Sequence, residues 1–258
     1  MLLSPIFIAH YQGQLLISKE IIQHMDFIQE SEPDLKKPIV IAAMQDMGNV
    51  GGIVIDFLNK QLKTQRFRLA KSSYPTYVID KGGYIGLPDE NWEYRNTNDL
   101  IVFGGGVGQP QTNEELHSLC QDVIDVAKKY SSKFIYTLGG FHTTRELNNS
   151  PKTYVTTTSA QLTNQLEKLN VNITPQKSVI TGFNGLILGY AKMNGIQGIG
   201  LYGELNDPEI PQYRAAISII KTLEKLTYQK LGNVSELEYM AQNIDEKTKN
   251  RWSPNFRQ

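Results

Sequence analysis

Residues 37–62, KPIVIAAMQDMGNVGGIVIDFLNKQL, decide the fold of this chain. The apolar run from Ile39 to Met44 reads as a buried strand, and Asp46, Gly48 and Asn49 as a tight turn. Val50, Ile53, Val54, Phe57, Leu58 and Leu62 then recur at helical spacing and make an amphipathic helix. A strand that turns straight into a helix is the opening half of a βαβ unit. It also sets backbone amides at the carboxyl edge of a sheet, where open α/β folds build their sites.

The pattern repeats outward from this unit. IVIAAM (39–44), LIVFGG (100–105), FIYTLGG (134–140) and IGLYG (199–203) are short and almost continuously apolar, as strands covered on both faces are. Helical stripes lie between and after them: Leu116, Leu119, Cys120, Val123, Ile124 and Ala127; Phe183, Leu186, Ile187 and Tyr190; Ala216, Ile219, Ile220, Leu223 and Leu226. Alternation of this kind predicts an α/β fold, a three-layer α/β/α sandwich around a mostly parallel central sheet. RFRLA (66–70), TYVID (76–80) and YIGL (84–87) predict an extended segment leading into a hairpin that turns at Lys81-Gly82-Gly83.

Three regions follow. Residues 1–36 form an N-terminal extension, with PIFIAHY and QLLIS pairing through Gln12-Gly13, a short helix from Lys19 to Ile28, and the polar linker SEPDLKK. Residues 37–232 form the core, and Gly232-Asn233 stops its last helix. Residues 233–258 add a short amphipathic helix carrying Leu237, Met240, Ala241 and Ile244, then a polar tail.

Composition narrows the function classes. The 258 residues are 40% apolar and 20% charged, which suits one large globular domain. Lys+Arg and Asp+Glu stand at 26 each, so no overall field recruits nucleic acid or an anionic membrane. No apolar run approaches the roughly 18 residues that cross a bilayer, and MLLSPIFIAHYQGQ lacks the basic start of a signal peptide. The single cysteine fits a reducing cytoplasm.

The chemistry-bearing motifs are weak ones. Asp46–Gly52 lacks the Lys-Ser/Thr of a P-loop and the spaced glycines of a dinucleotide fingerprint, and its glycines suit a tight turn with close helix–strand packing. GGGVG (104–108) precedes Gln109-Pro110, with a helix expected from about Gln111, and reads as a strand-to-helix crossing. His142 and Arg145, after a strand, are able to bind a carboxylate or phosphate, or else belong to an ordered loop. Glu204 and Asp207 form an acidic pair near a strand end, or a turn in which Asn206 and Asp207 satisfy backbone amides before a helix at Pro211. Cys120 lies within an apolar stripe, and His10, His24, His117 and His142 are isolated, so neither a nucleophile nor a metal site is expected. The basic tail residues Lys247, Lys249, Arg251 and Arg257 read as solvated. No cofactor is expected. One alternative function remains: a nucleoside- or phosphate-type small-molecule binder or enzyme, with Asp46, Asn49, His142, Arg145, Asn184 and Glu204 converging in a crevice at the strand ends.

GNVGGIVIDFLNKQL, YIGLPDENWEY, DLIVFGG, KFIYTLGGFHTT and ITGFNGLILGYAKMNGIQGIGLYGEL occur in this order between about Pro38 and Leu231. In this series the chain resembles the proteasome assembly chaperone 2 family, and its archaeal branch above all. The resemblance implies a nucleoside-phosphorylase-like α/β/α fold, no catalytic residues, and binding to proteasome α-subunits during assembly. Some members carry a C-terminal hydrophobic–tyrosine–any-residue motif that docks into the α-ring. Here the last residues are Asn255-Phe256-Arg257-Gln258, with Arg257 at the tyrosine position. The expectation is therefore an ATP-independent, homo-oligomeric, cytoplasmic chaperone that holds subunits along a face, or pairs with a second chaperone. Leu237, Met240, Ala241 and Ile244 are its candidate interface.

Overall fold

The computed structural model describes residues 8–11, 14–17, 25–73, 77–88, 91–97, 99–104, 108–110, 112–145, 147, 150–175 and 177–251. In chain order the strands and helices are β1 (Ile8–Tyr11), β2 (Gln14–Ile17), β3 (Met25–Gln29), β4 (Ile39–Ala42), α1 (Val50–Gln61) and β5 (Gln65–Ser72). Then come β6 (Ile79–Asp80), β7 (Ile85–Gly86), β8 (Asn91–Asn96), β9 (Leu100–Gly104), α2 (Asn113–Lys129) and β10 (Phe134–His142). The chain continues through β11 (Thr153–Thr157), α3 (Ala160–Glu167), β12 (Asn172–Ile173), α4 (Phe183–Met193) and β13 (Gln197–Leu205). It closes with α5 (Tyr213–Thr227) and α6 (Ser235–Arg251).

Among the described residues nine strands form one sheet in the order β12-β11-β13-β10-β4-β9-β8-β5-β3. The four strands expected from the apolar runs are its centre, and β13, β10, β4 and β9 are mutually parallel there. The flanks differ: β11 runs antiparallel to β13, and β9, β8, β5 and β3 alternate in direction, so the sheet as a whole is mixed. The short link from Asn96 to Leu100 accounts for part of this, because so few residues join strands only as a hairpin.

Register sorts the side chains into two cores. Val102, Ile41, Tyr136 and Ile199 stand side by side across the sheet and face one layer. Their neighbours Ile101, Val40 and Ile135 face the other. Val54 and Leu58 of α1 and Ile219, Ile220 and Leu223 of α5 cover the first face. Leu119 and Val123 of α2 and Phe183 and Ile187 of α4 cover the second. Each side chain of this size contributes about 1.5–3 kcal/mol on full burial, so both helical layers are held mainly by apolar packing.

Local chemistry sets the helix ends. Thr112 accepts the Glu115 N–H at 3.2 Å and starts α2 two residues after the expected Gln111. Glu114 and Glu115 in its first turn and Lys128 and Lys129 in its last complement the helix dipole. Ser159 caps α3 in the same way, accepting the Leu162 N–H. α5 ends at Thr227, before the expected Gly232-Asn233, because Tyr228 takes a left-handed conformation at φ 57°.

The N-terminal region needs one correction. β1 and β2 pair antiparallel as expected, with Gln12-Gly13 outside the described residues, but the helix placed at Lys19 to Ile28 is not one where it is described. Residues 18–24 lie outside the described residues, and Met25–Gln29 is an edge strand on β5. Met25 is buried in the second core, and that burial with ladder pairing favours extended backbone over helix. β6 and β7 form the small hairpin, closed by the Lys81 N–H donating to the Tyr84 carbonyl. Among the described residues no helix is long and apolar enough to cross a membrane.

Candidate functional site

β4 ends at Ala42, and two residues after Met44 the chain places Asp46 at the head of the turn Met47–Asn49. Gly48 sits at φ 63°, a conformation that costs other residues strain. Its N–H donates to the Pro208 carbonyl and its carbonyl accepts the Gln212 N–H, at 2.7 and 2.8 Å. The turn is thereby tied to the loop that precedes α5. Helix and strand then pack closely: a Cβ at Gly51 would lie 2.7 Å from the Met44 carbonyl oxygen and 2.9 Å from that of Leu138.

Asp46 itself fills the place an anion would take. Its Oδ1 accepts the Gly51 N–H at 2.9 Å, and its Oδ2 accepts the Gly140 N–H at 2.5 Å. Free amides at a helix start attract anions, and here the protein's own carboxylate receives them. Burial pushes the Asp46 pKa up to about 6, against the opposing pull of the two amides. Tyr202 lies nearby with its hydroxyl donating to the Asn184 carbonyl, and burial together with the Asp46 charge raises its pKa far above the usual tyrosine value.

These groups line a cavity of about 480 Å³ at the carboxyl ends of the central strands, with Gln109, His142, Thr156 and Asn184. Three of the six expected crevice residues therefore meet: Asp46, His142 and Asn184. Asn184 is held at both ends of its carboxamide, its Nδ2 donating to the Met44 carbonyl and its Oδ1 accepting the Met44 N–H. Gln109 plays a similar part, accepting the Phe183 N–H at the start of α4 and donating to the Gln45 carbonyl.

The other three do not line the cavity. Asn49 folds back over Gly52, where an added Cβ would come within 2.2 Å of its Oδ1. Glu204, 2% exposed, accepts from Arg145 at 2.6 Å, from the Lys152 N–H at 2.8 Å and from the Tyr154 hydroxyl at 3.1 Å. It ties Arg145, Lys152 and Tyr154 to β13 and makes no pair with Asp207. Asp207 instead accepts the Glu209 N–H, the turn role expected of it, and the following helix begins at Tyr213 instead of Pro211. Cys120 is fully buried, and burial pushes its thiol up to about 12.

Of the candidate interface residues, Leu237 and Ala241 are buried in the protein's own fold and Ile244 is half-buried. Met240 is the one that is exposed. The larger apolar surface is elsewhere, on the β6–β7 hairpin, where Tyr77, Val78, Ile79, Tyr84, Ile85 and Leu87 are 40–70% exposed. The sequence carries a signal for this: Tyr77, Val78 and Ile79 are consecutive, so no alternation gives the hairpin a polar outer face. Tyr202 and Gln109 were equally unmarked, since only strand register and a long-range hydrogen bond bring them to the cavity.

A mixed α/β/α sheet whose strand-end crevice is lined by a carboxylate bound to the protein's own amides is the class of protein this geometry defines. The chain belongs to the PAC2 family, whose model matches residues 40–251. It is 28% identical over 226 residues to the uncharacterised protein MJ1210 of Methanocaldococcus jannaschii, covering 85% of this chain and 84% of that protein. Among solved structures it resembles Pyrococcus furiosus PbaB, an archaeal proteasome activator, with TM-score 0.76 and 21% identity over 89% of this chain and 99% of that one. It also resembles Pyrococcus furiosus PbaA, an archaeal homolog of proteasome-assembly chaperone, with TM-score 0.73 and 22% identity over 89% and 92%. These likenesses establish the fold.

Proposed function

We propose that this protein is a non-catalytic, proteasome-related chaperone that binds proteasome α-subunits without consuming nucleotide. Membership of the PAC2 family across residues 40–251 carries the reading. The names of PbaA and PbaB, a proteasome-assembly chaperone homolog and a proteasome activator, point the same way. Two features of the geometry support it. At the start of α1 the Gly51 amide is taken by Asp46, which sets a carboxylate where a nucleotide phosphate would have to approach. The exposed apolar hairpin offers the kind of surface that marks a protein interface. In this scheme the protein works in the cytoplasm as a homo-oligomer, and the hairpin contributes to the contact with its client.

Light scattering after size exclusion, with purified α-subunits from the same organism, tests the proposal. The expected result is a complex that forms equally with and without ATP, with no phosphate released. Replacing Ile85 and Leu87 together by aspartate should weaken the complex at least about tenfold, since each apolar side chain is worth about 1.5 kcal/mol or more when buried. Absence of any complex, or ATP consumption in step with client release, would overturn the reading.

A further inference from the structure

A second cavity, of about 540 Å³, opens between α5, α6 and the chain entering β11, away from the strand-end crevice. Arg214, Ser218, Lys221 and Lys225 follow one another at helical spacing and line it along one face of α5. Lys152 reaches it from the start of β11. Between these cations the Thr153 and Ser218 hydroxyls are hydrogen-bonded at 2.7 Å, and the neighbouring Ile217 is buried. Among the described residues Glu238 is the one carboxylate in the lining. Arg214 is paired with Asp245, and Lys225 donates to the Asn170 carbonyl. The side chains of Lys152 and Lys221 have no hydrogen-bond or ion-pair partner among the described residues. The groove is thus net positive on a chain that has no net charge.

We propose that this groove receives an extended acidic peptide segment of a partner protein. The cations are spread too far for a single oxyanion: Arg214 and Lys225 are separated by about 16 Å along the helix at 1.5 Å per residue. An extended strand covers that distance with about five residues and sets alternate side chains on one side about 7 Å apart. Lys221 and Lys225, one helical turn apart, come close to that spacing, and Arg214 lies two turns before Lys221 on the same face, in reach of a side chain further along the strand. A single-stranded nucleic acid matches less well, since among the described residues no aromatic ring lines the groove to stack a base. The inference is independent of the proteasome reading, and its test contains no α-subunit.

Fluorescence anisotropy with a labelled octapeptide of alternating glutamate and serine, in about 50 mM salt so that exposed charges are weakly screened, is the experiment. Saturable binding is expected, weakened about tenfold in the double variant Lys152→Gln/Lys221→Gln by the loss of two charge contacts. Lys192→Gln, an exposed lysine on α4 in the opposite layer, should bind within about twofold of the parent, as a contact-free charge does. If the double variant fails to fold, Lys221→Gln alone should still weaken binding about threefold. No saturable binding overturns the proposal, as does an equal loss in Lys192→Gln. Displacement by an oligothymidylate as effective as by unlabelled peptide would reassign the groove to nucleic acid. Equally effective displacement by inorganic phosphate would reassign it to a simple oxyanion.

Discussion

Replacing Asp46 by asparagine measures how α1 is anchored to the sheet. In the native protein the carboxylate takes two backbone amides, from Gly51 and Gly140, yet burial dominates and raises its pKa from 3.8 to about 6. A raised value means that the folded state holds the proton more tightly than the unfolded chain does. The stabilising contribution is therefore fully present below pH 3.8 and is lost as pH rises through about 6. At 1.36 kcal/mol per pH unit, the shift from 3.8 to about 6 corresponds to at most about 3 kcal/mol. Asp46 keeps partial exposure, so solvent screening reduces the expected figure to about 2 kcal/mol. The substituted carboxamide would accept one amide and turn its NH₂ toward the other, a penalty of about 1–3 kcal/mol that does not vary with pH. Urea denaturation of both proteins between pH 4 and 7 gives the comparison. The advantage of the parent over Asp46→Asn should shrink by about 2 kcal/mol as pH rises across that window. A difference that stays constant, or grows with pH, would mean that the two amides outweigh burial and would refute the argument.

Three further outcomes are expected. Gly51→Ala should destabilise by about 1–3 kcal/mol in denaturant, because the two nearest atoms facing the new Cβ are backbone carbonyl oxygens that cannot turn aside; a more stable variant would show that helix propensity wins instead. Arg145→Ala should cost about 1–2 kcal/mol by leaving the buried Glu204 with two donors, while Arg66→Ala, whose partners Glu30 and Glu93 are partly exposed, should cost less than about 1 kcal/mol. The reverse order in thermal melts would contradict this account of Glu204. Native protein at pH 8 should react with a thiol reagent only at its unfolding rate, since burial holds the Cys120 thiol protonated; complete labelling within minutes would show the site to be open.

Periodicity carried most of the fold. The central strands and the stripes of α1, α2, α4 and α5 all follow from residues within a few positions of one another. The tight turn at Gly48 and the close packing at Gly51 were legible for the same reason. β3 shows where this stops. Ile21, Ile22, Met25 and Ile28 recur at helical spacing, yet Met25–Gln29 pairs with β5, some forty residues away along the chain. The antiparallel flanks likewise depend on which strand each segment finds.

Polar groups are harder still to read. Asp46, Asn184 and Glu204 look alike in a sequence whether they face a ligand or a backbone amide. Asp46 meets Gly140, 94 residues on, and Asn184 meets Met44 at a separation of 140, so each is held by contacts that no local pattern encodes. The stripe at Leu237 and Ala241 looks the same whether it covers the chain's own α5 or a partner. Local spacing determined the elements and their apolar faces, because a helix or strand repeats every few residues. Only the tertiary structure decided where each polar group is satisfied, since that depends on strand register and on hydrogen bonds made across the whole length of the chain.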